Sequence, residues 1–170
     1  PEFIKEIGAY VMKNTGGIVN TISGNFDVSQ GEFRKTQVYV DKKYFPDFNK
    51  IDDLINKLCR YVNEKIDDVE GSETIELSAD LHYNFVNIHP FADGNGRTAR
   101  LLMNYILLYH NQPLIKIFTE DRLDYINALN ETEEKSNLDI FREFIAEQQI
   151  KFLEEEIKTY NKKDNHFFTF

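Results

Sequence analysis

The sequence predicts a mostly α protein: a helical bundle carrying one short β-hairpin. Three observations predict it. Apolar residues recur at helical spacing over most of the chain, period-two alternation is confined to one short stretch, and Gly and Pro fall between these segments. With 170 residues the chain has the size of one domain. We expect a single domain over 1–170, its core at roughly 30–150, with an N-terminal helix (1–14) and a C-terminal helix (138–158) packed on it.

Phe3, Ile4, Ile7, Tyr10 and Val11 place the first helix, which should stop near Asn14, ahead of Gly16-Gly17. Residues 15–35, rich in Gly, Ser, Thr and Asn, read as mostly loop. Thr36 to Val40 alternates, with Val38 and Val40 on one face. Asp41-Lys42-Lys43 would turn the chain and Tyr44-Phe45 would return it before Pro46. Ile51, Leu54, Ile55, Leu58, Val62 and Ile66 mark the next helix, and Leu77, Leu81, Phe85 and Ile88 another after Gly71. From Arg97 to Tyr109 apolar residues fall on nearly every side, so this helix should be buried at the bundle centre. Thr119 reads as the N-cap of the following helix, with Glu120 and Asp121 in its first turn. The last helix runs from about Leu138 to Ile157, with Phe141, Ile145, Phe152 and Leu153 inward. The closing aromatics Phe167, Phe168 and Phe170 have no assigned role.

Composition excludes several functions. A net charge of −9 argues against nonspecific binding to nucleic acid or anionic membranes. No apolar stretch approaches the ~20 residues that span a bilayer, and the longest is broken by Asn104. Cys59 is the only cysteine, so no disulfide forms within the chain and a reducing, cytoplasmic setting is expected. The start, Pro1-Glu2-Phe3-Ile4-Lys5, lacks the pattern of a signal peptide. A chain opening on Pro1 is expected to come from something longer.

The chemistry concentrates in His89-Pro90-Phe91-Ala92-Asp93-Gly94-Asn95-Gly96-Arg97-Thr98-Ala99-Arg100, between two predicted helices. Gly94 and Gly96 flank Asn95 and free the backbone to present successive N–H groups as an anion nest. The next helix begins at about Gly96 or Arg97, so its positive end points into the same loop. Arg97 and Arg100 sit one turn apart, and guanidinium forks suit phosphate oxygens. Asp93 is placed to hold Mg²⁺ beside a polyphosphate. The His89 imidazole can take a proton from a hydroxyl at neutral pH. Base, metal carboxylate, nest and two arginines within twelve residues point to phosphoryl or nucleotidyl transfer.

Each feature has a plainer reading: a structural histidine, a Gly-Asn-Gly turn, a solvated arginine face. A calcium loop fails because Arg97 occupies a ligand position and Asn104 stands where Glu is required. A transition-metal site from His82, His89 and Asp93 is a further alternative. The Gly-Lys-Ser/Thr element of the classical ATP loop is absent.

The twelve-residue segment resembles the signature of the Fic family at all eight fixed positions: His89, Phe91, Asp93, Gly94, Asn95, Gly96, Arg97 and Arg100. His82 and Phe85 also stand where the family often has a histidine and an aromatic. Gly31-Glu32-Phe33-Arg34 is similar to the Gly-x-Tyr/Phe-Arg element that precedes the family's flap. The resemblance, which covers roughly residues 30–150, implies a protein adenylyltransferase: AMP from ATP, with Mg²⁺, onto a hydroxyl of a target protein. In that reading His89 is the general base, Phe91 anchors the loop and Asp93 holds Mg²⁺. Gly94, Asn95 and Gly96 cradle phosphates, and Arg97 and Arg100 bind the β/γ region. His82 supports the site. Val38, Val40, Tyr44 and Phe45 belong to a flap that docks an extended target segment by strand addition.

Transfer of phosphate, UMP or phosphocholine, removal of AMP, and a non-catalytic nucleotide-binding regulator are the alternatives. An inhibitory helix reading Ser/Thr-x-x-x-Glu-Gly/Asn, implied by the resemblance, is not found: Ser72 to Glu76 has the first spacing, but Leu77 follows. Three explanations stay open: the inhibitory helix lies in a missing segment, belongs to a small partner, or has diverged from this pattern. The oligomeric state, a homo-oligomer included, stays open.

Overall fold

The computed structural model describes residues 1–40 and 43–167, with side chains through 161. Asp41 and Lys42 of the expected turn, and Phe168 and Phe170 of the terminal aromatics, lie outside the described residues, as does the Phe167 side chain. The described residues form six helices and two antiparallel hairpins, in two compact units, Pro1–Ile106 and Leu107–Phe170.

In the first unit, α1 (Glu2–Met12), α2 (Ile51–Asn63), α3 (Ser72–Ile88) and the first turns of α4 (Asn95–Tyr109) enclose one core. Each contributes a stripe at helical spacing: Ile51, Ile55, Leu58 and Val62 from α2; Leu77, Leu81, Phe85 and Ile88 from α3; Ala99, Leu102 and Ile106 from α4. Phe91, from the loop between α3 and α4, is 1% exposed in the same core. Its ring centroid lies 5.4 Å from that of Phe33 and 6.1 Å from that of Phe85. Its edge fills the space over Gly8 of α1, where a Cβ would stand 2.5 Å from Cζ. Seated this way, Phe91 ties the loop to α1 and α3.

The expected hairpin forms in place, as β3 (Tyr39–Val40) and β4 (Lys43–Tyr44) with Tyr39 opposite Tyr44. Residues 15–35 differ from the expected loop. They hold a second hairpin, β1 (Ile18–Thr21) with β2 (Gly24–Asp27), then a 3₁₀ turn at Val28–Gln30. One strand residue, Phe26, is fully buried, against Met12 and Val28. So little apolar alternation leaves no period-two signal, and the strands are held by long-range packing.

Two helix expectations need correction. α4 is not buried all round. Thr98, Ala99, Leu102, Met103, Ile106 and Leu107 make one buried stripe, while Leu101 is 50% and Leu108 60% exposed. Both faces are apolar in sequence, so periodicity could not say which one packs. The helix expected to be capped by Thr119 starts later, as α5 (Arg122–Lys135), and Asp121 makes no side-chain cap bond. The Asp121 carboxylate instead accepts from Gln148 Nε2 at 2.8 Å and Lys151 Nζ at 2.7 Å, both on α6 (Asp139–Phe167). A tertiary contact has replaced the local one. Within this second unit α5 packs on α6 through Tyr125, Phe141 and Phe144. Phe141 and Ile145 are buried as expected, whereas Phe152 and Leu153 are half-buried.

Candidate active site

His89 ends α3 in the left-handed conformation, at φ 51°, with its N–H bonded to Phe85 O. This backbone turn carries the chain out of the core and into the loop. The imidazole Nδ1 lies 3.2 Å from the Val86 carbonyl. A carbonyl only accepts, so Nδ1 carries the proton and Nε2 is left with its lone pair. The Phe45 ring stacks on the imidazole at 3.9 Å and 24°. Burial pushes the His89 pKa below the usual imidazole value. The Val86 bond opposes this, Arg34 and Lys43 lower the pKa further, and Asp93 raises it. The net result is a neutral imidazole at neutral pH with a free basic nitrogen.

The loop is locked from inside. Asn95, 3% exposed, accepts the Phe91 N–H at Oδ1 (2.9 Å) and donates Nδ2 to the Phe91 carbonyl (2.8 Å). Its side chain therefore fixes the loop rather than reaching for a ligand. Gly94 adopts φ 82°, and a Cβ there would stand 2.9 Å from Met12 Sδ, so both the conformation and the space require glycine. The first bond of the α4 ladder runs from the Thr98 N–H to Gly94 O at 2.9 Å. The N–H groups of Asn95, Gly96 and Arg97 precede it, at the positive end of a fifteen-residue helix.

Asp93 is exposed at the loop's edge. Its Oδ1 accepts the Gly94 N–H at 2.5 Å, and Oδ2 lies 3.6 Å from the Arg97 guanidinium. Arg97 also donates to the carbonyl of Val11 at 3.3 Å and meets Met12 Sδ at 3.2 Å, so the end of α1 fixes its direction. Arg100 folds back toward the loop: its NH1 stands 3.6 Å from where a Gly96 Cβ would be. His82 is fully buried next to it. Burial first, then the Arg100 charge, lower the His82 pKa to about 3, against a bond to the Ala99 backbone. His82 is thus a neutral strut between α3 and α4.

The site residues expected from sequence come together here, with differences at the flap. Val40 (52% exposed) and Tyr44 (74%) face solvent, joined by Tyr39 (67%), and Val38 is half-buried. Phe45 is 7% exposed and covers His89, so it is not offered to a target. Two contributors were absent from the expected set. Lys43 donates to Asn87 Oδ1 on α3 at 2.6 Å. Arg34, 1% exposed, donates from Nε to His89 O at 2.8 Å. The Gly-x-Phe-Arg element marked Arg34, but its partners are main-chain carbonyls, which no residue type announces. Among the described residues no three His, Cys, Asp or Glu side chains gather to hold a metal, as the His82–His89–Asp93 alternative would need.

A family model for the Fic/DOC family matches residues 1–107, signature segment included. This chain belongs to the Fic/DOC family. It is 43% identical over 101 residues to the protein adenylyltransferase Fic of Nematostella vectensis, covering 59% of this chain and 23% of that protein. To the same-named protein of Aedes aegypti it is 36% identical over 124 residues, covering 71% of this chain and 24% of the relative. This Fic/DOC chain therefore spans about a quarter of the length of the curated relatives it matches. Among solved structures, Fic-1 (residues 134–508) from C. elegans aligns with a TM-score of 0.74 at 26% identity, over 94% of this chain and 43% of that one. A Fic-domain-containing signaling protein from Bacteroides thetaiotaomicron aligns with a TM-score of 0.63 at 27% identity, over 71% and 52% of the two chains.

Proposed function

We propose that this chain transfers AMP from ATP to a hydroxyl group of a protein target. The observation that carries the reading is the fixed tautomer of His89: with Nδ1 held on Val86 O, Nε2 is the proton acceptor at the mouth of an anion-binding loop. The target hydroxyl oxygen attacks the α-phosphorus, its proton passes to Nε2, and the bond to the β-phosphate oxygen breaks, releasing pyrophosphate. The α4 N–H groups and the Arg97 and Arg100 guanidiniums neutralise the phosphate oxygens as charge shifts to the leaving group.

Mg²⁺ fits the donors present. Mg²⁺ takes one or two carboxylates and completes its shell with substrate phosphates and water. Asp93 offers one exposed carboxylate beside the loop. The ion would supply further positive charge to the polyphosphate.

The exposed edge of the β3–β4 hairpin, with Tyr39, Val40 and Tyr44, suits strand addition by an extended target segment. Control would come from a helix bearing Ser/Thr-x-x-x-Glu-Gly/Asn, supplied in cis or by a partner, whose glutamate pairs with Arg100.

The test is incubation of the protein and a cell lysate with Mg²⁺ and ATP labelled at the α- or the γ-phosphate. Label on protein from the α-position alone is expected. Label from the γ-position would make the reaction phosphate transfer, and label from neither would leave a nucleotide binder.

A further inference from the structure

Arg34 is a cation with 1% of its surface exposed; the Asp47 carboxylate acts on it through its charge, while its side-chain hydrogen bonds run to main-chain carbonyls. Burying a guanidinium is costly unless its donors are met. Here each of the three guanidinium nitrogens donates to a main-chain carbonyl, and the carbonyls come from three places. Nε donates to His89 O at 2.8 Å, NH1 to Thr36 O at 2.7 Å, and NH2 to Pro46 O at 2.6 Å. The Arg34 backbone N–H adds a bond to Pro90 O at 2.9 Å. Thr36 and Pro46 flank the β3–β4 hairpin, one on each leg of its base, while His89 and Pro90 begin the signature loop.

We propose that Arg34 is a positioning residue that joins the two legs of the hairpin's base to the backbone of His89, so that flap and base are set as one unit. The inference rests on the reading of His89 as the base. A planar fork with fixed donor directions suits this junction, because it meets three acceptors in different directions at once. Lysine, whose donors radiate from a single nitrogen, cannot reproduce that spread. The junction places Phe45, next to Pro46, over the imidazole at 3.9 Å. It is reinforced by Gln37 Nε2, which donates to Phe45 O at 2.5 Å, and by Lys43, which reaches Asn87 at the far end of the flap. At 1% exposure the Arg34 side chain is not offered to a target or a nucleotide. It acts through the position of His89 and of the hairpin.

The experiment compares the wild-type chain with Arg34→Lys by NMR, amide exchange and labelling from α-labelled ATP. In the folded variant we expect the Phe45 amide, which donates to Val38 O across the stem, to exchange at least tenfold faster. The His89 ring protons should lose the upfield shift imposed by Phe45. Mg-ATP affinity should stay within about twofold, and autolabelling should drop at least tenfold. A folded variant with unchanged exchange and unchanged His89 shifts overturns the proposal. If the variant does not fold, the wild-type chain decides. Its Arg34 Nε–H should be protected from solvent exchange and show a coupling to the His89 carbonyl across the hydrogen bond; a fast-exchanging Arg34 side chain overturns the proposal. Altered exchange and shifts in a chain whose wild type transfers no label would uphold the junction and refute the transferase reading instead.

Discussion

The ring of Phe45 lies 3.9 Å from the imidazole of His89 and 24° from parallel, so the residue that follows β4 covers the candidate base. Burial is the main cause of the lowered His89 pKa. Phe45→Ala should admit water and let that pKa rise toward the usual ~6.5. A base works only when neutral, so the acid limb of the rate profile should move to higher pH. The check is autolabelling rate against pH for both proteins; an unmoved limb would mean that Phe45 does not set the basicity of His89.

His89→Ala should abolish transfer, by about 10²–10⁴-fold or more, with ATP affinity nearly unchanged, because the imidazole acts only as the proton moves. Asp93→Ala should weaken both turnover and Mg²⁺-dependent nucleotide binding. Calorimetric titration of each variant with ATP, with and without Mg²⁺, separates the two roles. Near-normal labelling by His89→Ala would refute the base assignment.

Arg100 folds back toward the loop from the second turn of α4. If it meets the distal phosphates, Arg100→Ala should lose about 2 kcal/mol toward ATP, roughly thirty-fold in affinity, and much less toward AMP. It should also make the chain insensitive to a peptide helix carrying the inhibitory glutamate. Equal losses for ATP and AMP would place Arg100 elsewhere. Complete silence of the wild-type chain, relieved by replacing a glutamate within it, would show that the inhibitor is already present.

Asn95→Ala should destabilise the fold by about 1–3 kcal/mol, since it leaves the Phe91 N–H and carbonyl without their buried partners. Urea denaturation measures this directly. A neutral result would mean that the loop is held without the Asn95 lock.

His82 predicts acid lability. Its folded pKa is lowered to about 3, so between ~6.5 and that value the unfolded chain binds a proton that the folded chain refuses. Stability from this group is therefore full above pH ~6.5 and falls as pH drops, by about 1.4 kcal/mol per unit. Between pH 6.5 and 5 the wild type should lose about 2 kcal/mol more than His82→Gln. Denaturation midpoints at the two pH values decide it, and parallel losses would show that His82 does not resist protonation.

From the sequence alone came the helices of the bundle, the place of the β3–β4 hairpin, and the loop with its histidine, carboxylate and arginines. These are legible because helical and strand periodicities repeat within a few residues, and because the signature is contiguous. What tertiary structure decided is of another kind. It chose which apolar face of α4 to bury, drew Asp121 from the start of α5 to Gln148 and Lys151, and formed the β1–β2 hairpin around Phe26. It also set Phe45 on His89 and put Arg34 between flap and loop. Those outcomes depend on contacts between residues far apart in the chain. At Arg34 the acceptors are main-chain carbonyls, which every residue carries, so residue identity alone cannot disclose them.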